Sequence, residues 1–216
     1  MNITYWSDFN CPYSYIGLKR LSDAVSELGV EFMWDLKSFE LEPDLKNTSS
    51  MLLKDSGKFT SSEIDEINSI ASDDGLDINL GGVQVVSSRN AHRLVKYIQS
   101  KNRNLAQMAV FKIYEHNFKL NENIGDVDVL VKIACELGFD ESKTRDVLLS
   151  SAYEIEVIID EEDAMFNGLY STPCYIISVK ADQLTVPGAF EKEDFKTALK
   201  DLISGEIKFK TFLNQY

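Results

Sequence analysis

The sequence of 216 residues predicts an α/β fold in which a helical domain interrupts a small sheet-containing domain. Three observations lead to this prediction. The chain opens with a strand, a helix and a strand, it closes with two strands and a helix, and the signals between them are nearly all helical. We therefore expect residues 1–43 and 168–216 to form one α/β domain and residues 44–167 to form an inserted helical domain.

The opening segment predicts a β-α-β unit with a sharp turn at Cys11. Residues 3–6 are β-branched and aromatic, which favours a strand. The apolar residues that follow recur at the spacing of an amphipathic helix, and Gly29 is a suitable end for it. These apolar residues are Leu18, Leu21, Val25 and Leu28. Residues 30–36 then predict the second strand.

The middle of the chain predicts a series of helices. Thr60 and Glu63 have the spacing of a capping box, in which each side chain bonds the backbone of the other residue. Cys135 falls on an apolar helical stripe and is interpreted as a core residue. Further helices are expected around residues 91–98, 104–119, 127–135 and 153–166, with a loop at residues 75–86.

The final segment predicts a hairpin followed by a helix. Residues 174–179 form an apolar run typical of a buried strand, and residues 184–186 are expected to return beside it after a turn. Pro187 and Gly188 break the chain. Apolar residues at helical spacing then predict the last helix.

Composition restricts the class of function. The net charge of −13 argues against binding to nucleic acid or to anionic lipid surfaces, because both need clustered Lys and Arg. The sequence has neither a membrane-spanning apolar run nor a signal peptide, so we expect a cytoplasmic protein. Its 3 cysteines are too few for a disulfide framework and lack zinc-ligand spacing, so no metal site is expected.

Cys11 is the candidate nucleophile. It precedes Pro12 at the start of the first predicted helix, where backbone N–H groups lack acceptors and the helix dipole is positive. A thiolate is stabilised at such a place, so we expect Cys11 to ionise more easily than an ordinary cysteine. That property suits thiol–disulfide exchange.

The run Ser7-Asp8-Phe9-Asn10-Cys11-Pro12-Tyr13-Ser14-Tyr15-Ile16-Gly17 resembles the active-site segment of the FrnE-like branch of the DsbA family. That branch is related to the 2-hydroxychromene-2-carboxylate isomerases and the kappa-class glutathione transferases. Three weaker segments also resemble the family: residues 90–94, 171–173 and 186–189. The resemblance spans nearly the whole chain and implies a thioredoxin-like fold with an inserted all-helical domain.

The resemblance also implies roles for individual residues. Cys11 and Ser14 stand at the catalytic positions, and the peptide bond between Thr172 and Pro173 is expected to be cis and to face Cys11. Residues expected to contact the substrate or glutathione are Pro12, Tyr13, Thr172, Pro173, His92 and Gly188. For His92, a position on the helix surface or in the core is an equally good interpretation.

The sequence departs from the family at its fourth active-site position. The disulfide oxidoreductases usually have a second cysteine where Ser14 stands, whereas the isomerases and transferases typically have serine where Cys11 stands. Ser14 is able to stabilise a Cys11 thiolate by a hydrogen bond, but it cannot resolve a mixed disulfide. Cys174 is a hypothetical second thiol, and a buried strand residue is the favoured alternative. Asp8 is interpreted as a solvated turn residue rather than a group that moves protons or opposes ionisation of the thiol.

These observations favour a thiol–disulfide oxidoreductase that acts through Cys11, with the mixed disulfide on Cys11 resolved by an external thiol such as glutathione. One alternative is a glutathione-dependent isomerase or transferase acting on a small aromatic substrate. A second is a non-catalytic module that binds thiols or peptides. No tightly bound cofactor is expected, and glutathione is the candidate co-substrate. The oligomeric state stays open, although homodimers are known among the resembling families.

Overall fold

The computed structural model describes residues 1–206, so residues 207–216 of the predicted α/β domain lie outside the described part. A four-stranded mixed sheet has the order β2-β1-β3-β4. Its strands are β1 (Asn2–Ser7), β2 (Met33–Ser38), β3 (Cys174–Val179) and β4 (Asp182–Pro187). β1 and β2 are parallel, whereas β3 runs antiparallel to both β1 and β4. The predicted α/β class is confirmed, and the central position of β1 places Cys11 at the middle of one sheet edge.

Helix α1 (Pro12–Leu28) connects the two parallel strands and packs beside the final helix, α8 (Lys192–Ser204). Gly29 ends α1 with a φ of 62°, as its position predicted. β2 begins at Met33 rather than at residue 30, because Met33 is the residue that pairs with Asn2 at the start of β1. β4 begins at Asp182, because the turn before it needs only Lys180, at a φ of 57°, and Ala181.

Six α-helices lie between β2 and β3. Thr60 begins α2 with the predicted capping box. Asp140 caps α6, a helix that the sequence analysis missed; an aspartate directly before Glu141 was the available signal. The helices are α2 (Ser61–Asp73), α3 (Arg89–Lys101), α4 (Arg103–Tyr114), α5 (Val127–Glu136), α6 (Glu141–Leu149) and α7 (Glu154–Phe166).

Two predictions in this block need correction. Residues 104–119 are not one α-helix, because α4 passes into a π-helical turn at Glu115–Lys119. Cys135 is exposed rather than part of the core. The buried side of α5 contains Leu130, Ile133 and Ala134, and the next residue after Ala134 is rotated by about 100° toward solvent.

One hydrophobic core extends through the sheet domain and the helical block. α7 also packs against β2, where the Asp160 carboxylate accepts a hydrogen bond of 2.8 Å from Ser38 N. The opposite sheet face carries a smaller apolar cluster, which we call the Trp6 cluster: Trp6, Ala164, Leu169 and Cys174. Because α7 contacts both parts, the division at residue 167 stays a prediction.

Within residues 1–206, none of the helices has the length and apolarity needed to cross a bilayer.

Candidate active site at Cys11

Cys11 lies where β1 gives way to α1. It is the residue that caps the helix, in extended backbone conformation, and Pro12 fills the first helical turn. Two backbone hydrogen bonds shape the turn: Cys11 N donates to Asp8 O at 3.1 Å, and Ser14 N donates to Cys11 O at 3.1 Å. The sulfur therefore sits at the helix end where unpaired N–H groups favour negative charge.

The loop before β3 approaches the sulfur from the opposite side. The Thr172–Pro173 peptide bond is cis, as predicted. The Cys11 thiol donates to the carbonyl oxygen of Thr172, with an Sγ–O distance of 3.6 Å. Gly188, at a φ of 94°, donates its backbone N–H to Pro173 O at 2.7 Å. Gly188 thus supports the loop through the backbone of Pro173.

Side chains from three elements hold the loop that carries Cys11. Tyr5 on β1 donates its hydroxyl to Ser14 O at 2.7 Å. From the helical block, Tyr114 donates to Asp8 O at 3.2 Å, and Asn117 in the π-helical turn donates to Phe9 O at 2.8 Å. All three donors are buried. The sequence analysis missed them, because a buried tyrosine or asparagine has no local signature.

The protonation of Cys11 differs from the expectation. The residue is 7% exposed, and this burial raises the pKa of its thiol. Interactions with Ser14 and Thr172 act to lower that pKa, while the charge of Asp8 raises it further. The expected easy ionisation was therefore wrong, because the loss of water around the sulfur outweighs the stabilising groups.

Two hydroxyl groups beside the sulfur are unsatisfied. Ser14 Oγ and Thr172 Oγ1 are buried, and neither has a hydrogen-bond partner among the described residues. Ser14 is close enough to affect the pKa of Cys11 without forming a well-aligned bond to the thiol. Unpaired buried hydroxyls cost free energy, so both are ready to bind an incoming polar group.

The other predicted substrate contacts are distributed unevenly. Pro12 and Pro173 are buried, Thr172 and Gly188 are half-buried, and Tyr13 is 40% exposed on the first turn of α1. Tyr13 is therefore the predicted contact residue that reaches furthest into solvent.

Cys174 is placed differently from Cys11. It pairs with Trp6 in the sheet and belongs to the Trp6 cluster, where burial raises its pKa to about 12. The next residue, Tyr175, points to the other sheet face and stacks on Tyr5 with ring centroids 5.0 Å apart. This geometry supports the interpretation of Cys174 as a buried strand residue.

Asp8 and His92 form a buried pair behind the Cys11 loop. Their exposed fractions are 1% and 3%, so the interpretation of Asp8 as a solvated turn residue was wrong. Asp8 Oδ1 lies 3.8 Å from His92 Nε2, and Asp8 also accepts from the backbone N–H groups of Asn10 and Leu41. Burial acts to raise the pKa of Asp8, but His92, Ser88 and the Leu41 amide hold it below its usual range.

A separate surface cleft of about 520 Å³ lies beside α3 and does not include Cys11. Arg93 lines it, but the Arg93 guanidinium already donates to carbonyl oxygens at the end of α6. Among the residues that the structure describes, no group of three His, Cys, Asp or Glu side chains is arranged to hold a metal ion. Cys11 is therefore the stronger candidate for a site, because a thiol and two buried hydroxyls without partners lie together there.

Comparison with known proteins agrees with this geometry. A family model described as DSBA-like thioredoxin domain matches residues 2–200. A probable DsbA oxidoreductase from Streptomyces coelicolor is similar, with 26% sequence identity, a TM-score of 0.82 and coverage of 99% of this chain and 94% of that one.

Two further solved structures share the fold at lower identity. One is a 2-hydroxychromene-2-carboxylate isomerase, with 16% identity, a TM-score of 0.73 and coverage of 95% and 98% of the two chains. The other is the cytosolic disulfide reductase DsbM from Pseudomonas aeruginosa, with 13% identity, a TM-score of 0.70 and coverage of 94% and 99%. At these identities the likeness shows the fold alone.

Proposed function

We propose that this chain, which belongs to the DSBA-like thioredoxin domain family, is a thiol–disulfide oxidoreductase that acts through one sulfur. An external thiol resolves the mixed disulfide that forms on this sulfur. One observation carries the proposal. The Cys11 sulfur lies at the start of α1, 3.6 Å from Thr172 O, and serine replaces the second cysteine of the active-site turn. The site therefore contains a sulfur that can act as the nucleophile, but position 14 has no thiol to resolve the mixed disulfide that would form.

In the first step, Cys11 loses its proton to solvent and the thiolate attacks one sulfur of a substrate disulfide. A new S–S bond forms to Cys11, the substrate S–S bond breaks, and the leaving thiolate takes up a proton. With a glutathionylated protein as substrate, the reduced protein departs and glutathione stays on Cys11. The Ser14 hydroxyl is placed to stabilise the thiolate form.

In the second step, a glutathione thiolate attacks the glutathione sulfur of the mixed disulfide. Cys11 leaves as a thiolate, and oxidised glutathione forms. The electrons that reduce the substrate thus come from glutathione thiols, and no cofactor is consumed. This need for glutathione places the proposed activity in the cytoplasm, where that thiol is kept reduced. The DsbM structure supports the choice of thiol, because the same reductase has also been solved with GSH.

The Cys174 side chain is poorly placed to replace glutathione. It lies on the sheet face that carries the Trp6 cluster, and burial keeps its thiol protonated. An attack on a disulfide at Cys11 needs a thiolate on the Cys11 side of the sheet. We therefore exclude Cys174 from the proposed cycle.

Mass spectrometry of protein treated with oxidised glutathione tests the proposal. We expect one glutathione adduct on the peptide that contains Cys11, and its release by added reduced glutathione. Cys11→Ser abolishes the adduct, whereas the matched variant Cys174→Ser retains it. An adduct confined to Cys135, or a Cys11–Cys174 disulfide that forms in its place, contradicts the proposed cycle.

A glutathione-dependent isomerase or transferase is the second candidate. The raised pKa of Cys11 favours it, because a neutral thiol and two unpaired hydroxyls suit the binding of a glutathione thiolate without covalent attack. Calorimetric titration of the Cys11→Ser variant with glutathione separates the two. Undiminished binding together with isomerisation of a small aromatic substrate supports this candidate, and loss of both supports the oxidoreductase.

A further inference from the structure

A buried carboxylate and a buried imidazole lie directly behind the loop that carries the reactive sulfur. Asp8 is three residues before Cys11, and its backbone oxygen accepts the Cys11 N–H at 3.1 Å. The Asp8 carboxylate is fixed by the amides of Asn10 and Leu41, at 3.1 and 2.8 Å. His92 Nε2 lies 3.8 Å from Asp8 Oδ1 and has no hydrogen-bond partner within residues 1–206.

A second carboxylate, that of Glu40, interacts with His92, and burial raises its pKa. Glu40 pairs with Arg89, whose Nε donates to Glu40 Oε2 at 2.7 Å. The backbone N–H of Glu40 donates to Glu161 on α7 at 3.0 Å, and Ser88 interacts with Asp8 from the start of α3. These contacts therefore connect α3 and α7 to the loop that carries Cys11.

The other ionisable groups that face Cys11 are phenols. Tyr5, Tyr114 and Tyr175 each interact with the Cys11 charge, and burial raises the pKa of all three hydroxyls. These side chains stay neutral at physiological pH. Asp8 is therefore the charged side chain that acts on the Cys11 sulfur.

We propose that Asp8 and His92 are positioning residues that set the reactivity of Cys11, with the Asp8 charge suppressing the thiolate and His92, which lies against the Asp8 carboxylate, weakening that effect. The physical reason is that a second negative charge beside Asp8 costs electrostatic free energy, most of all where water is excluded. The inference rests on the proposed function only in taking Cys11 as the reacting sulfur.

The rate of Cys11 alkylation by iodoacetamide between pH 6 and 9 tests this proposal. The thiolate displaces iodide and the thiol proton passes to water, so the rate reports the ionised fraction. For Asp8→Asn we expect a rate at pH 7 that is about three- to tenfold higher than in the unaltered protein. For His92→Gln, which removes the imidazole that lies against Asp8, we expect a rate about threefold lower.

The double variant separates an electrostatic role from a structural one. If His92 acts through Asp8, then Asp8→Asn combined with His92→Gln reacts at the rate of Asp8→Asn alone. Asp23→Asn is the matched control, because it removes a surface carboxylate from α1 that is paired with Lys19. It should leave the rate profile unchanged.

Two results overturn the proposal. One is a shift in the same direction for both single variants, and the other is an additive effect in the double variant. If Asp8→Asn fails to fold in thermal melts, His92→Gln is the deciding variant. An unchanged rate of Cys11 alkylation in His92→Gln, at an unchanged melting temperature, also contradicts the proposal. The glutathione-adduct experiment on Cys11 is independent of these rates. A failure of the proposed oxidoreductase function can therefore be distinguished from a failure of the proposed role of Asp8 and His92.

Discussion

The Cys11 loop and the Cys174 strand both bury a sulfur, yet they differ in what surrounds it. The two residues are 7% and 1% exposed, and burial raises the pKa of both thiols. Cys11 has Ser14 and Thr172 hydroxyls, a helix start and the Asp8–His92 pair around it, whereas Cys174 contacts Trp6, Ala164 and Leu169. Polar neighbours, rather than the extent of burial, therefore distinguish the candidate site from a core residue.

The largest expected effect is the difference in reactivity between the two thiols. We expect Cys11 to be alkylated on the order of 1,000-fold faster than Cys174 at pH 8, because Cys174 reacts only after the sheet opens locally. Peptide mass spectrometry on the native protein measures both rates in one sample. Equal rates in the native protein would break the comparison, whereas equal rates in guanidinium chloride are the expected control.

Restoring a cysteine at position 14 should turn the Cys11 loop into a self-resolving site. In Ser14→Cys, the new thiol lies on the same helical turn as Cys11, so it can displace glutathione as a thiol by forming a disulfide between positions 11 and 14, and an external thiol is then needed only to reduce that disulfide. We expect the lifetime of the Cys11–glutathione adduct to fall by about 100-fold. Ser26→Cys, at the far end of α1, is the control and should not shorten it.

The hydroxyl groups that hold the Cys11 loop should contribute measurably to stability. Tyr114→Phe removes the donor to Asp8 O while the ring keeps its contacts, and we expect a loss of about 1–2 kcal/mol in the free energy of unfolding. Urea denaturation measures the loss. The matched change Tyr170→Phe, at a side chain that is 73% exposed, should have almost no effect.

The smallest expected effect is the dependence of stability on alkaline pH. The pKa of Cys174 is raised to about 12 in the folded protein, so the folded state holds its proton more tightly than the unfolded chain does. Its contribution is complete below the unfolded pKa of about 8.5 and declines as the pH rises toward 12, so that the loss of stability at pH 9.5 is about 1.4 kcal/mol. Denaturation at pH 7 and 9.5 should show a smaller decline in Cys174→Ala, and an unchanged decline would contradict the burial of this thiol.

Much of the fold was predictable, because its signals are local. The turn at Cys11, the end of α1 at Gly29 and the capping box at Thr60 each depend on a few neighbouring residues. The weaker predictions failed where a distant partner decides the outcome. The start of β2 depends on pairing with β1, and the exposure of Cys135 depends on which side of α5 meets the other helices.

The class of fold, the place of Cys11 at a helix start, the cis-proline loop and the absence of a second cysteine at position 14 could all be predicted from the residues alone. The raised pKa of Cys11, the direction of the Cys174 side chain and the pairing of Asp8 with His92, which are 84 positions apart, became visible in the folded chain. The two groups of features differ in the sequence distance over which their causes act. Helix ends and turns depend on adjacent residues, whereas desolvation and buried charge depend on side chains that folding brings together from distant parts of the chain.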